Sequence, residues 1–172
     1  MAGFFSPAKA GECLACERGE YSNKEGRVEC TRCPAGTHSS SLGSTSCSMC
    51  SGGFYSPGGL GVCFECAAGY HSRDGANRCD LCPPGTNSSA GSPSCSPCLA
   101  GYYSHAGVAL CMGCPAGFYS LQGSATCQMC PSGTASNATA ASCTSCPPGM
   151  MYTPAGQSQC MGCAAAAAAS GA

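Results

Sequence analysis

Ten Cys-x-x-Cys pairs recur along the chain at steps of 16 or 17 residues, the first starting at Cys13 and the last at Cys160. They account for all 20 cysteines of the 172-residue sequence. A fixed short period of this kind indicates a tandem array in which each repeat packs mainly against its neighbours. We therefore expect cross-links between cysteines or metals, rather than one large hydrophobic core, to hold the chain together.

The apolar composition supports the same expectation. Tryptophan and isoleucine are absent, and the chain has only 5 phenylalanines and 7 tyrosines. Burial of so few large side chains, at about 25 cal/mol per Å², falls short of the backbone ordering entropy of about 1–2 kcal/mol per residue. A compact enzyme with a single core is thus disfavoured, and we expect no catalytic residues and no cofactor. No run of 18 apolar residues is present to cross a membrane.

Charge is confined to one half of the sequence. All 7 basic and 8 acidic residues lie between Lys9 and Asp80, and no acid follows Asp80 to complete a catalytic Ser-His-acid set. Nucleic-acid binding requires clustered Lys and Arg, so no nucleic acid is expected as a partner. The uncharged half favours covalent glycans or burial in an assembly as its source of solubility.

Each repeat reads approximately Cys-Pro-x-Gly-aromatic-Tyr-Ser-x-x-Gly-x-x-x-Cys, most clearly from Cys114 to Cys127. The Pro-x-Gly step and the second glycine favour turns, and the aromatic-Tyr-Ser segment favours an extended strand. The sequence predicts a small disulfide-rich, mostly irregular fold with short β-hairpins, in about ten repeats over residues 1–163. Residues 164–172 are expected to be an alanine-rich tail or placeholder residues, and the array is expected to continue beyond both ends.

A longer period overlies the short one. The residue after the first glycine is threonine in every third repeat, at Thr37, Thr86 and Thr134. This pattern predicts a rod or solenoid with about three repeats per turn, one face polar and two aromatic. Aromatic pairs such as Phe118-Tyr119 are expected to stack on neighbouring repeats.

Three chemistries suit the cysteine pairs: disulfides, zinc binding and redox exchange. In one disulfide scheme, the second cysteine of each pair bonds the first of the next, and each loop contributes roughly 3 kcal/mol. This scheme leaves Cys13 and Cys163 over and uses Cys16, Cys30, Cys33, Cys47, Cys50, Cys63, Cys66, Cys79, Cys82, Cys95, Cys98, Cys111, Cys114, Cys127, Cys130, Cys143, Cys146 and Cys160. In a second scheme, equivalent cysteines pair, as in Cys13 with Cys30, to give five two-bridge modules.

Zinc and redox exchange remain as the other two chemistries. Four thiolates from two Cys-x-x-Cys pairs suit tetrahedral zinc, but such modules are common in basic nucleic-acid binders, which this chain does not resemble in charge. Redox exchange requires a thiol of depressed pKa, for example at a helix N-terminus, and no helix is expected. We expect no metal site, and we expect His38, His71 and His105 to be solvent-facing polar residues.

Two segments, Asn87-Ser88-Ser89 and Asn137-Ala138-Thr139, match the N-glycosylation acceptor pattern. Both fall in threonine-type repeats, and the cysteine content favours an oxidising compartment. The sequence therefore predicts glycans on Asn87 and Asn137.

The repeat Cys-x-x-Cys-Pro-x-Gly-x-Tyr-Ser-x-x-Gly-x-x-x-Cys resembles the ephrin-receptor-like cysteine-rich repeat of the growth-factor-receptor cysteine-rich group, over residues 1–163. The Cys-Pro-x-Gly-Thr opening is similar to tumour-necrosis-factor-receptor modules. The resemblance implies structural disulfides, no catalytic residue, and a place in extracellular stalks, receptor ectodomains or surface proteins of algae and other protists.

These observations predict a structural extracellular glycoprotein. It would form part of a cell-surface or appendage filament, such as a flagellar-hair-like fibre or a coat. Its expected partners are copies of itself or other filament or coat subunits, without membrane insertion of this segment. The alternative is the stalk or ectodomain binding module of a surface receptor or adhesin.

Overall fold

The computed structural model describes residues 1–7, 11–151 and 155–162, and only the backbone of Met151. Cys163 and the predicted tail 164–172 lie outside this part of the chain. The chain divides into two compact units. The first unit comprises Met1–Leu81 with Ser88–Cys95, and the second comprises Cys82–Asn87 with the residues from Ser96 onward.

The described residues contain short antiparallel hairpins and no helix, which confirms the predicted disulfide-rich repeat fold. Every strand has two residues, and each odd-numbered strand pairs with the strand that follows it. The strands are β1 Phe4–Phe5, β2 Leu14–Ala15, β3 Glu20–Tyr21, β4 Thr31–Arg32, β5 Thr37–His38, β6 Ser48–Met49, β7 Phe54–Tyr55, β8 Phe64–Glu65, β9 Tyr70–His71, β10 Asp80–Leu81, β11 Thr86–Asn87, β12 Ser96–Pro97, β13 Tyr102–Tyr103, β14 Met112–Gly113, β15 Phe118–Tyr119, β16 Gln128–Met129, β17 Thr134–Ala135, β18 Thr144–Ser145, β19 Met150–Met151 and β20 Met161–Gly162.

The glycine before the first strand of a hairpin sets the packing between hairpins. Gly53 has a φ of 85°, and a Cβ placed on it would overlap the carbonyl group of Gly91, two hairpins further along the chain. Both the backbone conformation and the close approach require a residue without a side chain. The glycine of the repeat motif is thus a packing residue as well as a turn residue.

Backbone hydrogen bonds join each hairpin to the next within a compact unit. In the first unit, the N–H of Gly53 donates to the carbonyl of Ser72 at 2.8 Å, and the N–H of Gly75 donates to the carbonyl of Cys50 at 2.8 Å. In the second unit, the N–H of Gly101 donates to the carbonyl of Ser120 at 2.8 Å. Because these bonds use main-chain groups, the stacking tolerates the variable side chains of the repeats.

The buried interior of the described residues consists of small residues. Eight cysteines, eight serines and eight glycines are buried, together with Ala135. The hydroxyl of Ser104, with 0% exposure, donates to the carbonyl of Thr86 in the preceding hairpin at 2.9 Å, and Ser120 bonds Tyr102 in the same way at 3.0 Å. These hydrogen bonds satisfy the buried hydroxyls, whose burial would otherwise be costly.

The expected stacking of aromatic side chains on neighbouring repeats stays a prediction. Two ring contacts are found in the described residues. Tyr55 contacts Phe64 across one hairpin, and Tyr103, the last residue of β13, contacts His105 two residues later. Tyr70 and Tyr102 are 38% and 36% exposed. Phe54 and Phe118, at the equivalent position, are half-buried.

The threonine of every third repeat makes the same local hydrogen bond. Thr37, Thr86 and Thr134 each donate their hydroxyl to the carbonyl of the proline three residues earlier, at 2.7 Å. These bonds close the turn that precedes the strand. The predicted three repeats per turn stays a prediction. No helix of the described residues has the length and apolarity needed to span a membrane.

Candidate functional site

Every cysteine from Cys16 to Cys160 is disulfide-bonded. The bonds join the second cysteine of one pair to the first cysteine of the next, as in Cys33–Cys47 and Cys98–Cys111. This is the single-loop arrangement, not the arrangement in two-bridge modules. Within the first unit the pairs are Cys16–Cys30, Cys33–Cys47, Cys50–Cys63 and Cys66–Cys79, and within the second they are Cys98–Cys111, Cys114–Cys127, Cys130–Cys143 and Cys146–Cys160.

Each of these bonds closes a loop of 13 or 14 residues and spans 5.6–5.8 Å between Cα atoms. One cysteine precedes the first strand of a hairpin and the other precedes the second strand. The bond therefore fixes the two ends of a loop that a two-residue hairpin could not hold alone. Among the described residues Cys13 is a free and exposed cysteine.

The two cysteines differ in exposure in seven of the described bridges, and both are half-buried in Cys146–Cys160. The cysteine that begins a bridge is 0–2% exposed at Cys16, Cys33, Cys50, Cys66, Cys98, Cys114 and Cys130. The cysteine that ends it is half-buried in every described bridge. Reagents in solution consequently reach the second sulfur of a bridge more readily than the first.

Two histidines contact disulfide sulfurs, contrary to the expectation that they face solvent. Nδ1 of His38 lies 3.1 Å from Sγ of Cys63, and Nδ1 of His71 lies 3.2 Å from Sγ of Cys95. Both histidines are half-buried and occupy the second position of a first strand. A nitrogen of His38 and the sulfurs of Cys50 and Cys63 all lie within 4.8 Å of one another. Because these two sulfurs form a disulfide, they are not thiolate ligands for a metal in this state.

The two predicted glycan acceptors have different surroundings. Asn87 lies in β11, is half-buried, and donates its side-chain N–H to the carbonyl of Ala109 at 3.2 Å. Asn137 is exposed and follows the buried Ser136. Asn137 therefore offers more room for a sugar on the folded surface.

Thr139 completes the acceptor pattern of Asn137 and has an unusual backbone. Its φ is 58°, and no other non-glycine residue in the described ranges has a positive φ. Glycine occupies the equivalent place in neighbouring repeats, as at Gly123 and Gly156, where φ is 74° and 80°. A β-branched residue in this conformation is strained by about 1–3 kcal/mol. The chain thus tolerates local strain at the position where the acceptor pattern needs a hydroxyl.

The second strands of the hairpins expose apolar side chains. Met49, Leu81, Met112 and Met129 are 64%, 48%, 40% and 54% exposed. In the charge-free half of the sequence, Met112 and Met129 have no charged residue on the same hairpin. Exposed apolar side chains are common at association sites.

The fold and its bonding define a class of small cysteine-rich repeat modules, in which disulfides and main-chain hydrogen bonds replace a hydrophobic core. The family model described as tyrosine-protein kinase ephrin type A/B receptor-like matches residues 3–50 and 101–141, just over half of the chain. The chain belongs to this ephrin-receptor-like family. No curated protein matches the sequence at a significant level. The disulfides and the family together point to an extracellular or cell-surface module.

Proposed function

We propose that the chain is a structural module of an extracellular filament or surface coat, in which it associates with copies of itself or with other subunits. One observation carries the proposal: second strands expose apolar side chains, while the buried side-chain nitrogen and oxygen atoms of the described residues all have hydrogen-bond partners. Within each unit, main-chain bonds, serine hydroxyls and disulfides satisfy the interior. The exposed parts of the methionines on the second strands, 40% of Met112 and 54% of Met129, are therefore available to contact another chain.

Charge supports association through the second half of the sequence. The acids and bases lie between Lys9 and Asp80, and the charge-free part from Leu81 onward includes Met112 and Met129. Uncharged surfaces lack the electrostatic repulsion that keeps proteins apart. The proposed contact surface therefore comprises the second strands β14 and β16.

We also propose that the module carries an N-linked glycan at Asn137, and a second glycan at Asn87. The strained Thr139 supports the first site, because glycine at this position would relieve the strain but remove the hydroxyl of the acceptor pattern. A glycan near the hairpin surface would add solubility that the missing charges do not provide. A non-enzymatic role is part of the same proposal.

A matched pair of variants tests the assembly role. Met129 and Met49 both occupy the second position of a second strand, and each lies against a positive-φ glycine, Gly156 and Gly75. The chain would be secreted from a eukaryotic host and its mass measured against concentration by sedimentation velocity. We expect concentration-dependent association that Met129→Ser weakens and Met49→Ser leaves unchanged. A chain that stays monomeric at every concentration would overturn the assembly role.

A receptor or adhesin stalk is the second candidate, favoured by the family match. A surface groove of about 350 Å³ in the first unit is lined by Tyr55, Glu65, Tyr70 and Arg78 among others. It offers aromatic faces with one acid and one base, a combination suited to a polar peptide or sugar. Specific, saturable capture of such a ligand by the monomer, lost in Tyr70→Ser, would favour this candidate over the filament.

A further inference from the structure

We propose that His38 makes the Cys50–Cys63 disulfide a site of thiol–disulfide exchange, and that His71 does the same for the disulfide of Cys95. The contact at the first site joins His38 Nδ1 and Cys63 Sγ at 3.1 Å, and the contact at the second joins His71 Nδ1 and Cys95 Sγ at 3.2 Å. The inference does not depend on the filament role.

The chemistry of the contact fixes which atom donates. A disulfide sulfur has no hydrogen and can only accept, so Nδ1 of His38 carries the hydrogen of this bond. An N–H donor beside a sulfur stabilises negative charge on it. In exchange, the attacking thiolate brings negative charge that spreads over the sulfurs in the transition state, so an N–H donor beside the attacked sulfur makes the attack faster.

Burial fixes which sulfur is attacked. Cys50 is 1% exposed, whereas Cys63 is half-buried. A small thiolate forms its new S–S bond with Sγ of Cys63, the Cys50–Cys63 bond breaks, and the electron pair stays on Sγ of Cys50. This sulfur also lies within 4.8 Å of a nitrogen of His38, so the ring is close to the departing charge as well. A second thiol then releases Cys63 and leaves as the oxidised disulfide of the reductant.

The chain contains its own controls. Tyr55 and Asn87 occupy the strand position of His38 in other hairpins, and each lines a groove together with the half-buried cysteine of the following bridge, Cys79 and Cys111. These bridges have the same loop length and exposure as Cys50–Cys63. They differ from it in lacking an imidazole.

The test is limited reduction of the folded, secreted chain by glutathione, with alkylation of released thiols and peptide mass spectrometry over time. We expect mixed disulfides with glutathione on Cys63 and Cys95 at least about threefold sooner than on Cys79 and Cys111. His38→Asn should reduce the rate at Cys63 to that at Cys111 and leave the rate at Cys95 unchanged.

His38→Tyr gives a second variant, since tyrosine stands at this position in the neighbouring hairpin. Intact disulfide maps of both variants before reduction show that they have folded. Equal rates at Cys63, Cys79 and Cys111 in the unmodified chain would overturn the proposal. A rate at Cys63 that neither variant lowers would overturn it as well, because the difference would then come from exposure alone.

Discussion

The carbonyl group of Thr139 lies against Gly101, at a position that a Cβ on Gly101 would overlap. Gly101 also has a φ of 85°. Gly133 has the same place in its repeat and a φ of 81°, but no atom of the described residues lies within 4 Å of where its Cβ would be. Glycine is therefore needed at Gly133 for the positive φ of the turn alone. At Gly101 it is needed both for the positive φ and for the close approach of the other hairpin.

Substitution of both glycines by alanine tests this separation. Gly133→Ala is expected to lower the free energy of unfolding by about 1–2 kcal/mol, the cost of a side chain in the left-handed region. Gly101→Ala should cost distinctly more, since the main chain of Thr139 must also move. Thermal unfolding of the two secreted variants measures the difference. Equal losses would show that hairpin packing adjusts freely to the added atom.

Replacement of Thr139 by glycine should stabilise the fold and remove the proposed glycan. With Asn137→Gln as the background, neither chain carries a sugar at this position, and Thr139→Gly is expected to raise the free energy of unfolding by about 1 kcal/mol. In the otherwise unmodified chain, the same change should abolish glycan mass on Asn137. An unoccupied Asn137 in the secreted chain would contradict the modification, and an unchanged stability would contradict the strain.

The buried serines should contribute to stability through their hydroxyls. Ser104→Ala removes the bond to the carbonyl of Thr86 and is expected to cost about 1 kcal/mol. Ser96→Ala, at an exposed strand position, is the control and should change stability by less than about 0.5 kcal/mol. Denaturant unfolding compares the two. A loss at Ser104 no larger than that at Ser96 would mean that the hydroxyl is replaceable.

Removal of one bridge tests the role of the disulfides directly. Replacing both Cys98 and Cys111 by serine opens a loop of 13 residues and is expected to lower the free energy of unfolding by about 3 kcal/mol. Proteolysis under native conditions should then cut first between these positions. Uniform resistance to proteolysis would show that the neighbouring hairpins hold the loop without its bridge.

The sequence predicted the hairpins because their determinants are local. The Pro-x-Gly turn, the strand and the closing cysteine all lie within one repeat. The sequence of a single repeat is therefore enough to predict a hairpin. The spacing alone left two pairing schemes open, and the structure contains the one that closes loops such as Cys33–Cys47.

The features that the sequence analysis missed depend on contacts between repeats. Ser104 looks like a surface residue, and its burial follows from the bond to Thr86, 18 residues earlier. The recurrence of serine after the strand in nearly every repeat was the available signal. The contact of His38 with Cys63 spans 25 residues and requires the register of successive hairpins, which spacing alone does not supply.

Peptide mapping of the secreted chain under non-reducing conditions, with free thiols alkylated first, tests the central claim most directly. The disulfide-stapled array predicts Cys33 linked to Cys47 and Cys98 linked to Cys111, with no alkylation at these four cysteines. Linkage of equivalent positions, such as Cys16 to Cys33, or alkylation of most of the cysteines from Cys16 to Cys160, would contradict the account and return zinc binding to consideration.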